Sequence, residues 1–223
     1  MARPDIAFLH TAKAHIPTFE KLMREVAPGL EVTHAVREDL LADAQRIGIG
    51  DAGLVDRIRS AMKGAGEGGA PVVICTCSTI GGVAEAMDTG GAFAAARIDR
   101  AMADAAVTRG RPVLAVAALE STLAPTLELL RVSAARMKTD PAIETLVVCD
   151  AWQHFLAGDQ EKYVEAIVRG IEAADAKGKI VVLAQASMAP AAAPLARLGI
   201  EALSSPRLGV ERAVALHAGL SKS

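Results

Sequence analysis

The chain repeats itself, and the repeat limits what it can fold into. Residues 71–82 read Pro-Val-Val-Ile-Cys-Thr-Cys-Ser-Thr-Ile-Gly-Gly, and residues 179–190 follow the same layout as Lys-Ile-Val-Val-Leu-Ala-Gln-Ala-Ser-Met-Ala-Pro. Each is a short run of β-branched residues, then small polar residues, then a turn. Laid over one another at an offset of 108, Cys77 falls on Gln185 and Thr79 on Ser187. The same offset puts Pro17 to Leu22 over Pro125 to Leu130, and the apolar run 6–9 over 114–117. Such agreement in one register predicts two similar halves. With 223 residues, 52% of them hydrophobic, the chain can bury a substantial core as one large domain or as two small lobes.

Strands and helices alternate along both halves. In the first, 6–10 reads as a strand, 18–25 as a helix opened by Pro17 and ended by Pro28-Gly29, and 31–36 as a weaker strand. Helical spacing follows at 39–46 and 54–63. A strand at 72–74 ends in Cys77-Ser78-Thr79, a helix covers 83–87, and a fourth strand covers 92–98. A helix at 99–108 leads into the second half. There the pattern runs strand 113–118, helix 125–137, strand 143–149, helix 161–176, strand 180–184 and strand 201–203, closed by a helix at 210–220. Stiff β-branched runs between helices predict parallel sheets joined by right-handed crossovers. The fold class expected is α/β, with two pseudo-symmetric lobes, each a short parallel sheet flanked by helices. Lobe one takes 1–98 with the C-terminal segment 206–223 packed back on it, and lobe two takes 99–205.

Composition removes several classes of function. Net charge is −2 with both signs scattered, so no basic stripe points to nucleic acid, and 3% aromatic content leaves few platforms for bases. No run approaches the roughly 18 to 20 apolar residues of a membrane span. The start lacks the apolar core of a secretory signal, and three cysteines, two of them one residue apart, do not make a disulfide framework. A reduced, cytoplasmic protein is expected. The glycines at 48–53 match a dinucleotide pattern by letter, but they follow a helix and lack the acidic residue about 20 positions on; they read as a helix–helix connection. The glycine-rich stretch 64–69 precedes a strand, whereas phosphate cradles follow one, so it reads as a surface loop.

At Cys77-Ser78-Thr79 and its echo at Gln185 the chain resembles the aspartate/glutamate/hydantoin racemase superfamily, whose relatives include arylmalonate decarboxylase and maleate isomerase. The resemblance covers essentially the whole length and implies an active-site cleft between the lobes. In that family a first-lobe strand ends in Cys-Asn-Thr or a near variant, and a second-lobe strand ends in Gly-Cys-Thr-His or Cys-Ala-Gly-Met. Cys77-Ser78-Thr79 matches the first motif. Ala184-Gln185-Ala186-Ser187-Met188 keeps the frame of the second without its cysteine, and without the histidine that amino-acid racemases carry two residues later.

Racemising a carbon beside a carboxylate without a cofactor needs a base on each face, and the family uses two thiols. Gln185 is an amide, which hydrogen-bonds but moves no proton near neutrality, so the symmetric mechanism is closed to this chain. One-sided thiol chemistry at Cys77 stays open: protonating the enediolate left by decarboxylation, or adding to a double bond so that it rotates. His10, at the end of the first strand, is a candidate acid–base partner because imidazole titrates near 6.5. Thr11, Ser78, Thr79, Ser121, Thr122, Gln185 and Ser187 are candidates to hold the substrate carboxylate. Ser121 and Thr122 lie in a loop, 119–122, that matches a threonine-bearing turn of the family; Glu120 there reads as a solvated charge. Cys75, deeper in its strand, reads as core. A Cys-x-Cys metal site would need further ligands, and none is suitably spaced. Asp150 reads as a helix N-cap; Trp152, His154 and Phe155 are candidates to line the cleft or a subunit contact, with core the commoner place for Trp152 and Phe155. Four outcomes remain: racemisation, decarboxylation, cis–trans isomerisation, or binding of a small carboxylate without catalysis on a degenerate racemase fold. No cofactor is expected, and two Ala-rich lobes are compatible with a homodimer.

Overall fold

Aliphatic runs of four or five residues form the strands, and the side chains that cover them form the helices. In the computed structural model, which describes residues 3–220, the chain divides into two units. Unit one holds the residues through Asp99 and those from Pro206 on; unit two is Arg100–Ser205. Residues 221–223 of the segment expected on lobe one, and residues 1 and 2, lie outside the described part.

Unit one contains β1 (Ile6–His10), α1 (Ile16–Val26), β2 (Val32–Val36), α2 (Glu38–Ile47), α3 (Ala52–Gly66), β3 (Val72–Cys75), α4 (Gly81–Glu85) and β4 (Ala94–Arg97). Its sheet order is β2-β1-β3-β4, parallel throughout. Unit two contains α5 (Arg100–Val107), β5 (Val113–Ala117), α6 (Glu120–Met137), β6 (Ile143–Val147), α7 (Ala151–Leu156), α8 (Gln160–Ala173), β7 (Ile180–Leu183), α9 (Ala192–Arg197) and β8 (Glu201–Ser204). Its order, β6-β5-β7-β8, is the same topology, again parallel. The last helix, α10 (Ser205–Leu220), begins five residues before the expected 210.

The two central strands of each sheet are buried along their whole length. That is why they read as unbroken apolar runs, while β2 and β6 carry exposed residues at the sheet edge. One core gathers Leu9, Leu40, Leu54, Ile58, Met62 and Val73 around unit one's sheet. The other gathers Val116, Tyr163, Ile167, Ile171, Val181 and Leu195 in unit two. Full burial of one such Leu or Ile contributes about 1.5–3 kcal/mol.

The register corrects the repeat by one residue. Ile6 pairs with Val72 in unit one, and Val113 pairs with Ile180 in unit two. The third strands are therefore related by 108, but the first strands by 107, so Leu9 corresponds to Val116 and not to Ala117. Alanine-rich strands hide such a slip, although one residue exchanges the two faces of a strand. The helix expected at 125–137 starts at Glu120, so 120–122 is helical and Pro125 lies inside α6. Pro125 is the sixth residue of α6, past the first turn, so its ring nitrogen removes the bond that an N–H there would make to the Ser121 carbonyl. α3 runs on to Gly66, which shortens the expected 64–69 loop, and the turn ends at Gly69 with φ +87°. The 48–53 connection is a helix–helix link in which the Asp51 carboxylate accepts from the Leu54 N–H and caps α3.

Candidate functional site

In a sheet ordered 2-1-3-4 the chain leaves the middle pair of strands in opposite directions. That opens a crevice at their carboxyl ends, where α/β sheets take ligands. In unit one the crevice lies between the ends of β1 and β3. His10 and Thr11 come from the first strand and Thr76 to Thr79 from the second. The Thr76 N–H donates to the Leu9 carbonyl at 2.9 Å and continues the ladder past the strand end. Cys77 is half-buried, while Ser78, Thr79 and Thr11 are buried. Cys75 is fully buried in the core, and burial pushes its thiol well above the usual range.

His10 is enclosed and both its ring nitrogens are engaged. The Thr76 hydroxyl donates to the Leu9 carbonyl at 3.1 Å, so His10 Nδ1 must be the donor in its 2.9 Å bond to that hydroxyl. His10 Nε2 is then an acceptor, and His34 Nδ1 donates to it at 2.9 Å. The His34 Nε2 lone pair that ends this chain is buried without a hydrogen-bond partner. Phe8 stacks on His34 at 5.5 Å, and Phe19 tilts against His10 at 5.3 Å. Burial, then the neighbouring His34 and His15, lower the His10 pKa to about 3. The titration near 6.5 that motivated an acid–base role therefore does not survive folding.

This shift carries a pH prediction. Between its unfolded value near 6.5 and about 3, His10 is protonated in the unfolded chain and neutral in the fold. Its penalty is absent above 6.5 and grows as pH falls through that window, with a slope of up to about 1.4 kcal/mol per pH unit. Urea unfolding at pH 7 and pH 4.5 should show this loss in the native chain and a clearly smaller one in His10→Asn. Equal losses in the two would show that His10 does not titrate this way.

The crevice of unit two is built differently. Gln185 follows β7 and its Oε1 accepts from the Ala118 N–H, at the end of β5, at 2.6 Å. Its Nε2 is buried with no hydrogen-bond partner. Gln185 thus closes the β5–β7 gap with a side chain, where His10 and Thr76 close the β1–β3 gap. Ser187 shares a 2.8 Å hydrogen bond with Tyr163 of α8. Ser121 and Thr122, expected in a loop, lie in the first turn of α6; Thr122 is buried, and the Ser121 hydroxyl is buried without a hydrogen-bond partner. Glu120 is the exposed first residue of that helix, where negative charge is favourable.

Twofold use of one sheet topology prompts comparison with known folds. No protein-family model matches the sequence, and no curated protein does either. Solved structures match over nearly the whole chain. Glutamate racemase from Francisella tularensis, in complex with D-glutamate, superposes with a TM-score of 0.68 at 12% identity, covering 98% of this chain and 82% of that one. Allantoin racemase from Pseudomonas fluorescens gives 0.63 at 17%, covering 97% and 91%. An arylmalonate decarboxylase mutant in its sulfate-associated form gives 0.60 at 18%, covering 97% and 94%.

The chain has the fold of the aspartate/glutamate/hydantoin racemase superfamily. Within this racemase fold, the sequence motifs mark the strand ends at both crevices, Cys77 to Thr79 in one unit and Gln185 to Ser187 in the other. Asp150 occupies the N-cap position of α7, but its carboxylate pairs with Arg169 at 2.9 Å and makes no capping bond. Trp152 stacks on Phe155 at 4.7 Å, and both pack against the core of unit two. Among the described residues, no group of three or more His, Cys, Asp or Glu is placed to hold a metal ion, and no helix is long and apolar enough to cross a membrane.

Three participants escaped the sequence. His34 stacks beside His10, Tyr163 holds Ser187, and a buried ion pair lies beneath the thiol turn, between Arg97 at 4% exposure and Asp99 at 0%. A charged pair at 97 and 99, just after an apolar run, was the available signal for the last.

Proposed function

We propose that the protein is a cofactor-independent enzyme acting on a small carboxylate, with the Cys77 thiol moving a proton at the carbon next to that carboxylate. The observation that carries this reading is the difference between equivalent strand ends of the two units. Cys77 is the half-buried sulfur at the β1–β3 crevice, and the residue in its place in unit two is an amide already bonded to Ala118. A carboxamide whose NH2 group is left without a partner can donate to an anion but carries no proton to a carbon. The reaction is therefore one-sided.

For a malonate-like substrate the steps balance without a cofactor. The carbon–carbon bond to one carboxylate breaks and releases carbon dioxide, and its electron pair stays behind as an enediolate. The Cys77 thiol gives its proton to the carbon, and solvent reprotonates the thiolate. Ser78, Thr79 and Thr11, beside the thiol in unit one, supply hydrogen-bond donors for the carboxylate; Ser187, Ser121, Thr122 and the Gln185 Nε2 are the polar groups of unit two's own crevice. His10 serves as a neutral strut between β1 and β3, with no proton transfer of its own. Proteins of this fold include an amino-acid racemase holding D-glutamate, an allantoin racemase and an arylmalonate decarboxylase. Their names support a carboxylate or related carbon acid as substrate class.

The test is a panel of dicarboxylates, hydantoins and arylmalonates incubated with the protein in D2O. NMR reads deuterium at the α-carbon, and gas evolution reads decarboxylation. A single deuteron delivered to one face supports the reading. Thermal stabilisation by a panel member with no exchange, decarboxylation or isomerisation replaces it with carboxylate binding alone.

A further inference from the structure

We propose that the buried Arg97–Asp99 pair is a positioning device that aims the Cys77 turn at the substrate carboxylate. The proposal rests on the carboxylate reading of that turn. Arg97 is the last residue of β4 and stands beside Cys75 in the β3–β4 register. Its guanidinium forks onto Asp99, with Nε to Oδ1 at 2.6 Å and Nη2 to Oδ2 at 2.9 Å. The same Nη2 also donates to the Ser78 carbonyl at 3.1 Å. The turn lies directly on the arginine: a Cβ added at Gly81 would sit 3.1 Å from both Arg97 Cβ and Nε. Gly81 is what lets the backbone come that close.

The peptide bond converts this contact into an aim. Across a trans peptide the carbonyl and the next N–H point in opposite directions. Holding the Ser78 carbonyl on the guanidinium turns the Thr79 N–H to the side away from it. One charged donor thus fixes the orientation of the Ser78–Thr79 peptide, one residue past the thiol.

The duplication supplies a built-in comparison. In unit two Leu183 pairs with Ser204 as Cys75 pairs with Arg97 in unit one, so Ser204 stands where Arg97 would be. Two residues on, Pro206 takes the place of Asp99. The fold itself does not require the ion pair, because its twin sheet does without one. The pair accompanies the thiol, and its absence accompanies the amide. A buried pair is also a poor investment for stability alone, since packed apolar residues often do as well.

The test reads anion preference at each thiol. Native protein is alkylated with iodoacetate and with iodoacetamide, reagents of similar size, and mass spectrometry gives the rate ratio at Cys77 and at exposed Cys149. In native protein the ratio at Cys77 should exceed that at Cys149. In the double variant Arg97→Met/Asp99→Leu it should fall about tenfold, the worth of a charge-assisted hydrogen bond, while the urea midpoint stays close to native. Arg97→Lys keeps a charge on Asp99 but cannot fork to Ser78 as well, and should fall part of the way. Native ratios in either variant overturn the positioning role. A native ratio at Cys77 no higher than at Cys149 overturns the carboxylate reading itself.

Discussion

Replacing Cys77 with serine is expected to lower α-hydrogen exchange on any active panel member by about a thousandfold, the usual worth of a positioned acid–base group. Binding should change only a few-fold, because the carboxylate donors are other residues. Serine keeps the shape and a hydrogen bond but holds its proton far more tightly than a thiol. The two remaining cysteines serve as controls with opposite expectations. Cys149 is exposed and follows the edge strand β6 of unit two, so Cys149→Ala should leave both rate and stability unchanged. Cys75 belongs to the core of unit one, so Cys75→Ala should cost roughly 1 kcal/mol of stability with little change in rate. NMR exchange in D2O and calorimetric titration on the same samples separate the effects. Exchange surviving in Cys77→Ser would remove the thiol from the chemistry and leave the fold without an assigned proton carrier.

The duplicated architecture was legible because each half repeats a buried strand followed by small polar residues, and those runs became the central strands. The register was less legible. Between residues 6–9 and 114–117 every position is apolar, so composition scores a slip of one as well as the true pairing; only the hydrogen-bond ladder places Leu9 with Val116. Ser121 and Thr122 read as loop residues because Pro125 looks like a helix opener, and it instead lies within α6. His10 was found, but its neighbour His34 was not, since stacking across β1 and β2 depends on their register. Arg97 and Asp99 were invisible for the same reason. Nothing local says that the end of β4 returns beneath the turn after β3, and a charged pair at a strand end normally reads as solvated.

Gly209→Ala is expected to destabilise unit one by about 3 kcal/mol, the upper range for overpacking a core, although alanine is the better helix former. Gly209 lies in α10, and a Cβ there would fall well inside contact distance of the Ile98 carbonyl oxygen and Cδ1, and 2.6 Å from Cγ1. Flexible side chains can move aside from such an overlap, but a backbone carbonyl cannot do so cheaply. The Ile98 N–H also donates to the Cys75 carbonyl at 3.0 Å, so this backbone is tied to the strand that carries the thiol turn. The same helix contains its own control. Gly219 has open space where its Cβ would go, and Gly219→Ala should be neutral or stabilising by up to about 0.5 kcal/mol. Urea denaturation of both variants tests the contact. If Gly209→Ala unfolds at the native midpoint, α10 does not press on Ile98. If it is destabilised as expected, Cys77 alkylation in the weakened protein should also change, because Ile98 lies between Arg97 and Asp99 and any shift of its backbone reaches the pair that aims the turn.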